Sequence, residues 1–237
     1  MTDYIASFYR GKESPSQETI LQTLHAIECS GKGFFPAYFW RSQNERLVLE
    51  HAQAYERTLI PAEFYIQPGV ARIPFEGSNG TEFAFTESDE PSLYPATLVI
   101  KISSKSFSLA LEDLVVMFKN IVKAFSPDYS YLYDQEQTDK RSNHRLKFDV
   151  DIYSVPMMLY WINYYGREWV RNIGQERLRK LSKHIPFFEW LEDGGVLFAI
   201  QTEPYEDRNP VHVANQQKLE KMLGLKELHA KYPNRGI

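Results

Sequence analysis

The chain has 237 residues, 43% of them hydrophobic and 24% charged, with a formal net charge of −4 at pH 7. That length buries a substantial core without disulfides or metals, and the mild negative charge argues against a nucleic-acid binder, which holds phosphate on a basic stripe. The single cysteine, Cys29, rules out an internal disulfide, and no apolar run reaches the length of a membrane span.

Taken in chain order, Tyr4–Arg10 reads as a strand. Ser14-Pro15-Ser16-Gln17 then supplies an N-cap at Ser14, Pro at the first helical position and Gln three residues after the cap. Ile20, Leu24 and Ile27 follow at helical spacing, and Gly31 ends that helix. Residues 34–66 are aromatic, with short strands expected around Ala37–Arg41 and Glu63–Gln67. Gly77-Ser78-Asn79-Gly80 is a turn between two strands, and Thr97–Ile102 is another strand. From Ser108 a helix runs to Phe125, with Leu111, Leu114, Val115, Phe118, Ile121, Val122 and Phe125 on one apolar face. Ser126-Pro127 stops it.

Leu146, Phe148, Val150 and Ile152 alternate with Lys147, Asp149 and Asp151, the period-two pattern of a half-buried strand. Leu159–Tyr165 is an aromatic strand or the start of a helix. Arg167–Lys183 reads as one helix. Val196–Ile200 has no alternation and suits a central strand covered on both faces. Asn209 caps the last helix, Pro210 takes its first position and Gly224 ends it. Strands fall in groups between helices, without repeats or a long linker. The expected fold is α+β, a mixed or mainly antiparallel sheet with helices packed against it, in a single domain over residues 1–237.

Motifs of chemistry are sparse. No G-x-S-x-G, G-x-x-x-x-G-K or G-x-G-x-x-G occurs. The six histidines form no H-x-x-x-H or Cys/His set; His25 and His212 fall on helices. Asp149-Val-Asp151 has the form of a divalent-metal element, but both residues lie on the polar side of the alternating strand and lack further ligands. Cys29 reads as a small hydrophobe near a helix end. No catalytic residue, metal or cofactor is assigned, and an enzyme is not expected. The competing readings are an enzyme with a carboxylate site around Asp149 and Asp151, and a scaffolding subunit of a secretion complex.

Charge is segregated. Between Arg72 and Lys101 lie Glu76, Glu82, Glu87, Asp89 and Glu90, and between Lys183 and Arg208 lie Glu189, Glu192, Asp193, Glu203, Glu206 and Asp207, with no Lys or Arg in either interval. The compensating base clusters at 140–147 and 167–183. Solvated loops account for each acidic run taken alone; together they also suit surfaces that steer a basic partner. Trp190 and Tyr205 sit inside the second run, where aromatics serve as interface anchors, although Trp190 equally suits a core. The candidate partner-binding set is therefore Glu82, Glu87, Asp89 and Glu90 with Glu189, Trp190, Glu192, Asp193, Glu203, Tyr205, Glu206 and Asp207.

Three stretches, Tyr160-Trp161-Ile162-Asn163-Tyr164-Tyr165-Gly166, Gly194-Gly195-Val196-Leu197-Phe198-Ala199-Ile200, and Glu203-Pro204-Tyr205 followed by Asn209-Pro210-Val211-His212-Val213, resemble the immunity protein 52 family. That family comprises bacterial immunity proteins encoded beside polymorphic toxins. The resemblance covers residues 155–225. It implies a cognate toxin, typically a type VI secretion effector that is a nuclease of the restriction-endonuclease fold, bound in the cytoplasm. It implies no catalytic residues; the charge balance and the lack of a membrane-length apolar run argue against direct nucleic-acid and membrane contact. Met1-Thr2-Asp3 opens no basic and apolar leader, which also fits a cytoplasmic protein.

Overall fold

Strand β1, Asp3–Arg10, pairs antiparallel along its length with a later strand, Ala96–Ser103, setting Tyr4 opposite Ile102 and Phe8 opposite Leu98. Its buried residues include Tyr4, Ala6 and Phe8, the alternation of a strand with one face on a core. The computed structural model describes residues 3–10, 15–30, 38–42, 45–48, 51, 65–67, 70–76, 82–88, 96–103, 110–135, 156 and 158–231. The chain divides into two compact units, Asp3–Pro127 and Asp128–Ile237.

In the first unit, helix α1 is Gln17–Cys29. Its cap is Ser16, two residues later than expected: the Ser16 Oγ accepts from the Thr19 N–H at 3.1 Å, so Pro15 precedes the cap instead of opening the helix. Ser14 and Gly31 lie outside the described residues. Cys29 ends α1, as its reading near a helix end expected, and is exposed there. Strands β2 (Tyr38–Ser42), β3 (Glu45–Val48), β4 (Tyr65–Gln67), β5 (Val70–Glu76), β6 (Glu82–Ser88) and β7 (Ala96–Ser103) follow. They run in the order β1-β7-β6-β5-β2-β3, with β4 beside β5. Glu76 faces Glu82 across β5 and β6, as the turn signal between them requires, while the turn itself lies outside the described residues.

Helix α2, Leu111–Phe125, packs on α1 and buries the whole expected face together with Met117. It begins at Ala110, which caps without a side-chain bond; Ser108 lies outside the described residues. Phe118 meets Phe8 at 4.8 Å, and Phe125 meets Phe85 at 6.0 Å. Ser126 ends the helix in the left-handed region at φ 51°. The Arg10 Nη1 donates to the Phe125 carbonyl at 3.2 Å, supplying a cation where the helix dipole is negative.

The second unit is built on β8 (Tyr129–Asp134), β9 (Ile162–Tyr165), β10 (Phe187–Trp190) and β11 (Val196–Ala199), ordered β10-β11-β9-β8. β11 is central, and all four of its residues are buried, as expected. Leu159–Tyr165 resolves into a strand at its second half. The 167–183 segment is two helices, α3 (Arg167–Ile173) and α4 (Gln175–Leu181), with a 3-10 turn at Ser182–His184. The break falls at Gly174, whose φ of 96° no helix residue adopts. Helix α5, Pro210–Leu223, begins and ends as expected: the Asn209 Oδ1 accepts from the Val211 N–H at 3.0 Å, and Gly224 lies at φ 73°. It is not the last helix, because α6, Leu225–Lys231, follows. His25 and His212 lie on α1 and α5. The alternating strand with Asp149 and Asp151 lies outside the described residues.

Within each unit the strand pairs whose register is described are antiparallel, and the helices are interspersed, an α+β fold. Among the described residues no helix is long and apolar enough to cross a membrane.

Candidate partner-binding surface

The acid that runs together in sequence from Glu189 to Asp207 is divided by β11. Glu189 and Trp190 lie on β10, and Glu192 and Asp193 lie in the turn that leads into β11. Glu203, Glu206 and Asp207 lie in the loop that leaves the strand's other end. From Val196 to Ala199 the strand spans roughly 10 Å at about 3.3 Å per residue. The run therefore makes two surfaces.

At the entry, Asp193 is committed to the fold. Its Oδ1 accepts from the Gly195 N–H at 2.7 Å and its Oδ2 from the Tyr164 hydroxyl at 2.6 Å. Its carbonyl accepts from Nε and Nη2 of Arg167 at 3.2 and 3.1 Å. Burial, and then the bond to Asp193, push the Tyr164 hydroxyl well above the ordinary tyrosine range, so it stays a donor. Gly195 is required by contact: a Cβ there would stand 2.7 Å from the Tyr164 ring and 2.9 Å from the Tyr165 carbonyl. Glu192 is exposed, Glu189 is half-buried, and Trp190 is 39% exposed, which places it on the surface.

At the exit, the loop is held through its backbone and one buried ring. The Ile200 N–H donates to the Trp161 carbonyl at 3.0 Å, and the Trp161 Nε1 donates to the Gln201 carbonyl at 3.1 Å. The Glu206 N–H donates to the His212 Nδ1 at 3.0 Å, and the Asp207 N–H to the buried Asp134 carboxylate at 2.8 Å. Tyr205 must be corrected. It is fully buried, its hydroxyl donates to the Gln216 Oε1, and its ring lies 5.8 Å from His212. A tyrosine between carboxylates reads as a surface anchor in one dimension, but α5 covers it. Glu203 and Glu206 are exposed and Asp207 is half-buried; Val211, in the first turn of α5, is 72% exposed.

The posts beneath this loop were not anticipated. Gln216 donates to the Leu159 carbonyl at 2.6 Å, and Glu220 accepts from the Leu159 N–H at 2.9 Å. Asn163 clamps Tyr160 on both main-chain groups, at 2.9 and 2.7 Å. The His229 Nε2 meets the Pro156 carbonyl at 2.8 Å. These side chains satisfy main-chain groups of Pro156, Leu159 and Tyr160, which lie outside the described strands. One signal was available: Gln216 shares a helix stripe with Leu219 and Leu223, and a polar residue on an apolar stripe needs a buried partner.

In the first unit, Glu82 and Glu87 lie on β6, where Glu82 is in register with Glu76 and Lys101. Asp89 and Glu90 lie outside the described residues. Basic side chains at 167–183 serve the fold in part. Arg177 donates to the Leu223 and Gly224 carbonyls at 3.2 and 3.4 Å, closing the end of α5, and Arg171 and Lys180 pair with Glu168 and Glu176 on the surface. Among the described residues no three His, Cys, Asp or Glu side chains are placed to hold a metal.

No family model matches the chain, and no curated protein matches it. Among solved structures it is similar to the Pseudomonas aeruginosa T6SS protein PA0821, with a TM-score of 0.59 and 12% identity over 94% of this chain and 72% of that one. At that identity the likeness shows a shared fold.

Proposed function

We propose that the protein is a cytoplasmic immunity protein that binds and neutralises a cognate toxin, a type VI secretion nuclease effector, and that it performs no catalysis of its own. The observation that carries this reading is the mounting of the exit loop. Glu203 and Glu206 stand exposed on a loop whose main chain is fixed to His212 and Asp134 and whose Tyr205 hydroxyl is fixed to Gln216, so little ordering is left to oppose binding. A nuclease needs a basic surface to hold phosphate, and a fixed acidic loop complements such a surface. The shared fold with a T6SS protein supports the setting, and the family resemblance supports the role. Inhibition follows either by covering the nucleic-acid surface or by blocking the toxin's assembly.

The test is co-expression with the toxin encoded beside it. Growth should be restored, and the two purified proteins should form a one-to-one complex whose association slows as salt rises. Failure to obtain both protection and a complex would defeat the reading.

A further inference from the structure

The outer edge of β10 carries an inference that does not depend on the neutralisation reading. In an antiparallel sheet, residues alternate between those that exchange main-chain bonds with one neighbour and those whose N–H and C=O point the other way. Two bonds set that parity here. The Leu191 N–H donates to the Gly195 carbonyl at 3.0 Å, continuing the register in which Glu189 faces Leu197 and Phe187 faces Ala199. Across β11, the Ile200 N–H donates to the Trp161 carbonyl at 3.0 Å, continuing the register of Phe198 with Asn163 and Val196 with Tyr165. Both agree that β10 turns the main chain of Phe187 and Glu189 toward β11. The N–H and C=O of Phe188 and Trp190 therefore point outward from the end of the sheet, and among the described residues nothing pairs with them.

The same two residues carry an aromatic face. Trp190 is 39% exposed, and its ring meets half-buried Phe188 edge-on at 5.4 Å. The turn that follows is stapled by Asp193, Tyr164 and Arg167, so the edge is already ordered. Glu189 and Glu192 give it a negative rim.

We propose that this edge accepts an extended segment of a partner protein as an added β-strand, with Lys or Arg facing Glu189 and Glu192 and aliphatic side chains over Trp190 and Phe188. A second copy of the chain does not suit it. The two-fold register that uses every outward group pairs Phe188 with Trp190 of the other copy. It sets Glu189 directly against its own equivalent, with about 4.5 Å between Cα atoms, where like charges destabilise. Lysine at that place in a different strand converts the repulsion to attraction.

The probe is the peptide acetyl-Lys-Val-Lys-Val-Lys-Val-Lys-amide, titrated to millimolar into the full chain and followed by amide hydrogen exchange. The Phe188 and Trp190 amides are expected to slow by at least about tenfold, while those of Phe187 and Glu189, already bonded to β11, change little. The peptide with Glu in place of Lys should leave all four unchanged. Trp190→Ala and Trp190→Pro separate ring from main chain: both delete the indole, and only Pro deletes the outward N–H, at an edge position where Pro is tolerated. The Pro variant should bind the peptide more weakly than the Ala variant; if its melt shows that it does not fold, exchange in the wild-type chain decides alone. Unchanged exchange at Phe188 and Trp190, equal protection by the Glu peptide, or equal binding by folded Ala and Pro variants overturns the proposal. Protection in a chain that fails the growth assay upholds strand addition and removes only the neutralisation reading.

Discussion

The turn before β11 and the loop after it are both acidic in sequence, but they hold their acid differently. In the turn, Asp193 accepts through both carboxylate oxygens and its carbonyl, so its carboxylate, although exposed, is held by the turn. In the loop, the fixed groups are the Gln201 carbonyl, the Glu206 and Asp207 amides and the Tyr205 hydroxyl, while Glu203 and Glu206 are exposed. A carboxylate that builds a turn cannot also serve a partner without giving up bonds. A carboxylate on a loop held by other atoms is available at no cost to the fold. Proximity in sequence does not distinguish the two; the identity of the fixed atom does.

The contrast can be broken most severely at Tyr205. Tyr205→Ala removes a fully buried ring and is expected to cost about 3–5 kcal/mol, read as a fall in the denaturant midpoint, and to release the Glu206 and Asp207 amides to fast exchange. Stability within about 1 kcal/mol of wild type would mean the loop is not held by this ring. Asp193→Ala should come next, at roughly 1–3 kcal/mol, because it leaves the buried Tyr164 hydroxyl without its acceptor. It should leave toxin association nearly unaltered once folding is corrected for. A variant that instead folds normally and loses binding would reverse the assignment of Asp193.

A pH series sharpens the role of the posts under the loop. Burial depresses the imidazole of His229 below its ordinary 6.5, against a smaller opposing effect of the Pro156 carbonyl. The unfolded chain then takes up a proton near 6.5 that the folded chain binds only at lower pH. The stability contributed by neutral His229 is thus fully present above that value and is lost as pH falls through it toward the folded value. Chemical melts between pH 8 and pH 5 should show the decline in wild type, and His229→Gln should flatten that part of it. The smallest effect on folding is expected for Glu203→Lys with Glu206→Lys, under about 1 kcal/mol for exposed charges. The same pair should slow toxin association. If affinity, association rate and growth protection all stay at wild-type levels, acidic complementarity at the exit loop is the wrong explanation, and the outer edge of β10 becomes the surface to test.

Much of the fold was legible where the signal is local. Asn209-Pro210 and Gly224 mark the limits of α5 because capping is settled within a turn of chain. The apolar face from Leu111 to Phe125 is legible because a 3.6-residue period survives any tertiary context. Val196–Ala199 announced its position by lacking alternation. Other elements left no such mark. β8, Tyr-Ser-Tyr-Leu-Tyr-Asp, is buried throughout, so its alternation of tyrosine with Ser130, Leu132 and Asp134 does not report a wet face. β10 is four residues long, too short for any period to stand out. The helix expected across 167–183 fails at Gly174 because a single glycine tolerates helix or break, and only packing chooses.

The candidate surface divides along the same line. Composition and charge spacing alone established that the chain carries acid without compensating base over 184–207, that this acid borders a central strand and a capped helix, and that aromatics lie among it. Only the tertiary structure decided that Tyr205 is a buried post, that Asp193 belongs to a turn, and that Trp190 lies on an outward edge. The physical reason is range. Caps, periods and charge runs are properties of a dozen neighbouring residues. Burial of Tyr205 depends on Gln216, and the turn at Asp193 depends on Tyr164 and Arg167, groups that only folding brings within hydrogen-bond distance.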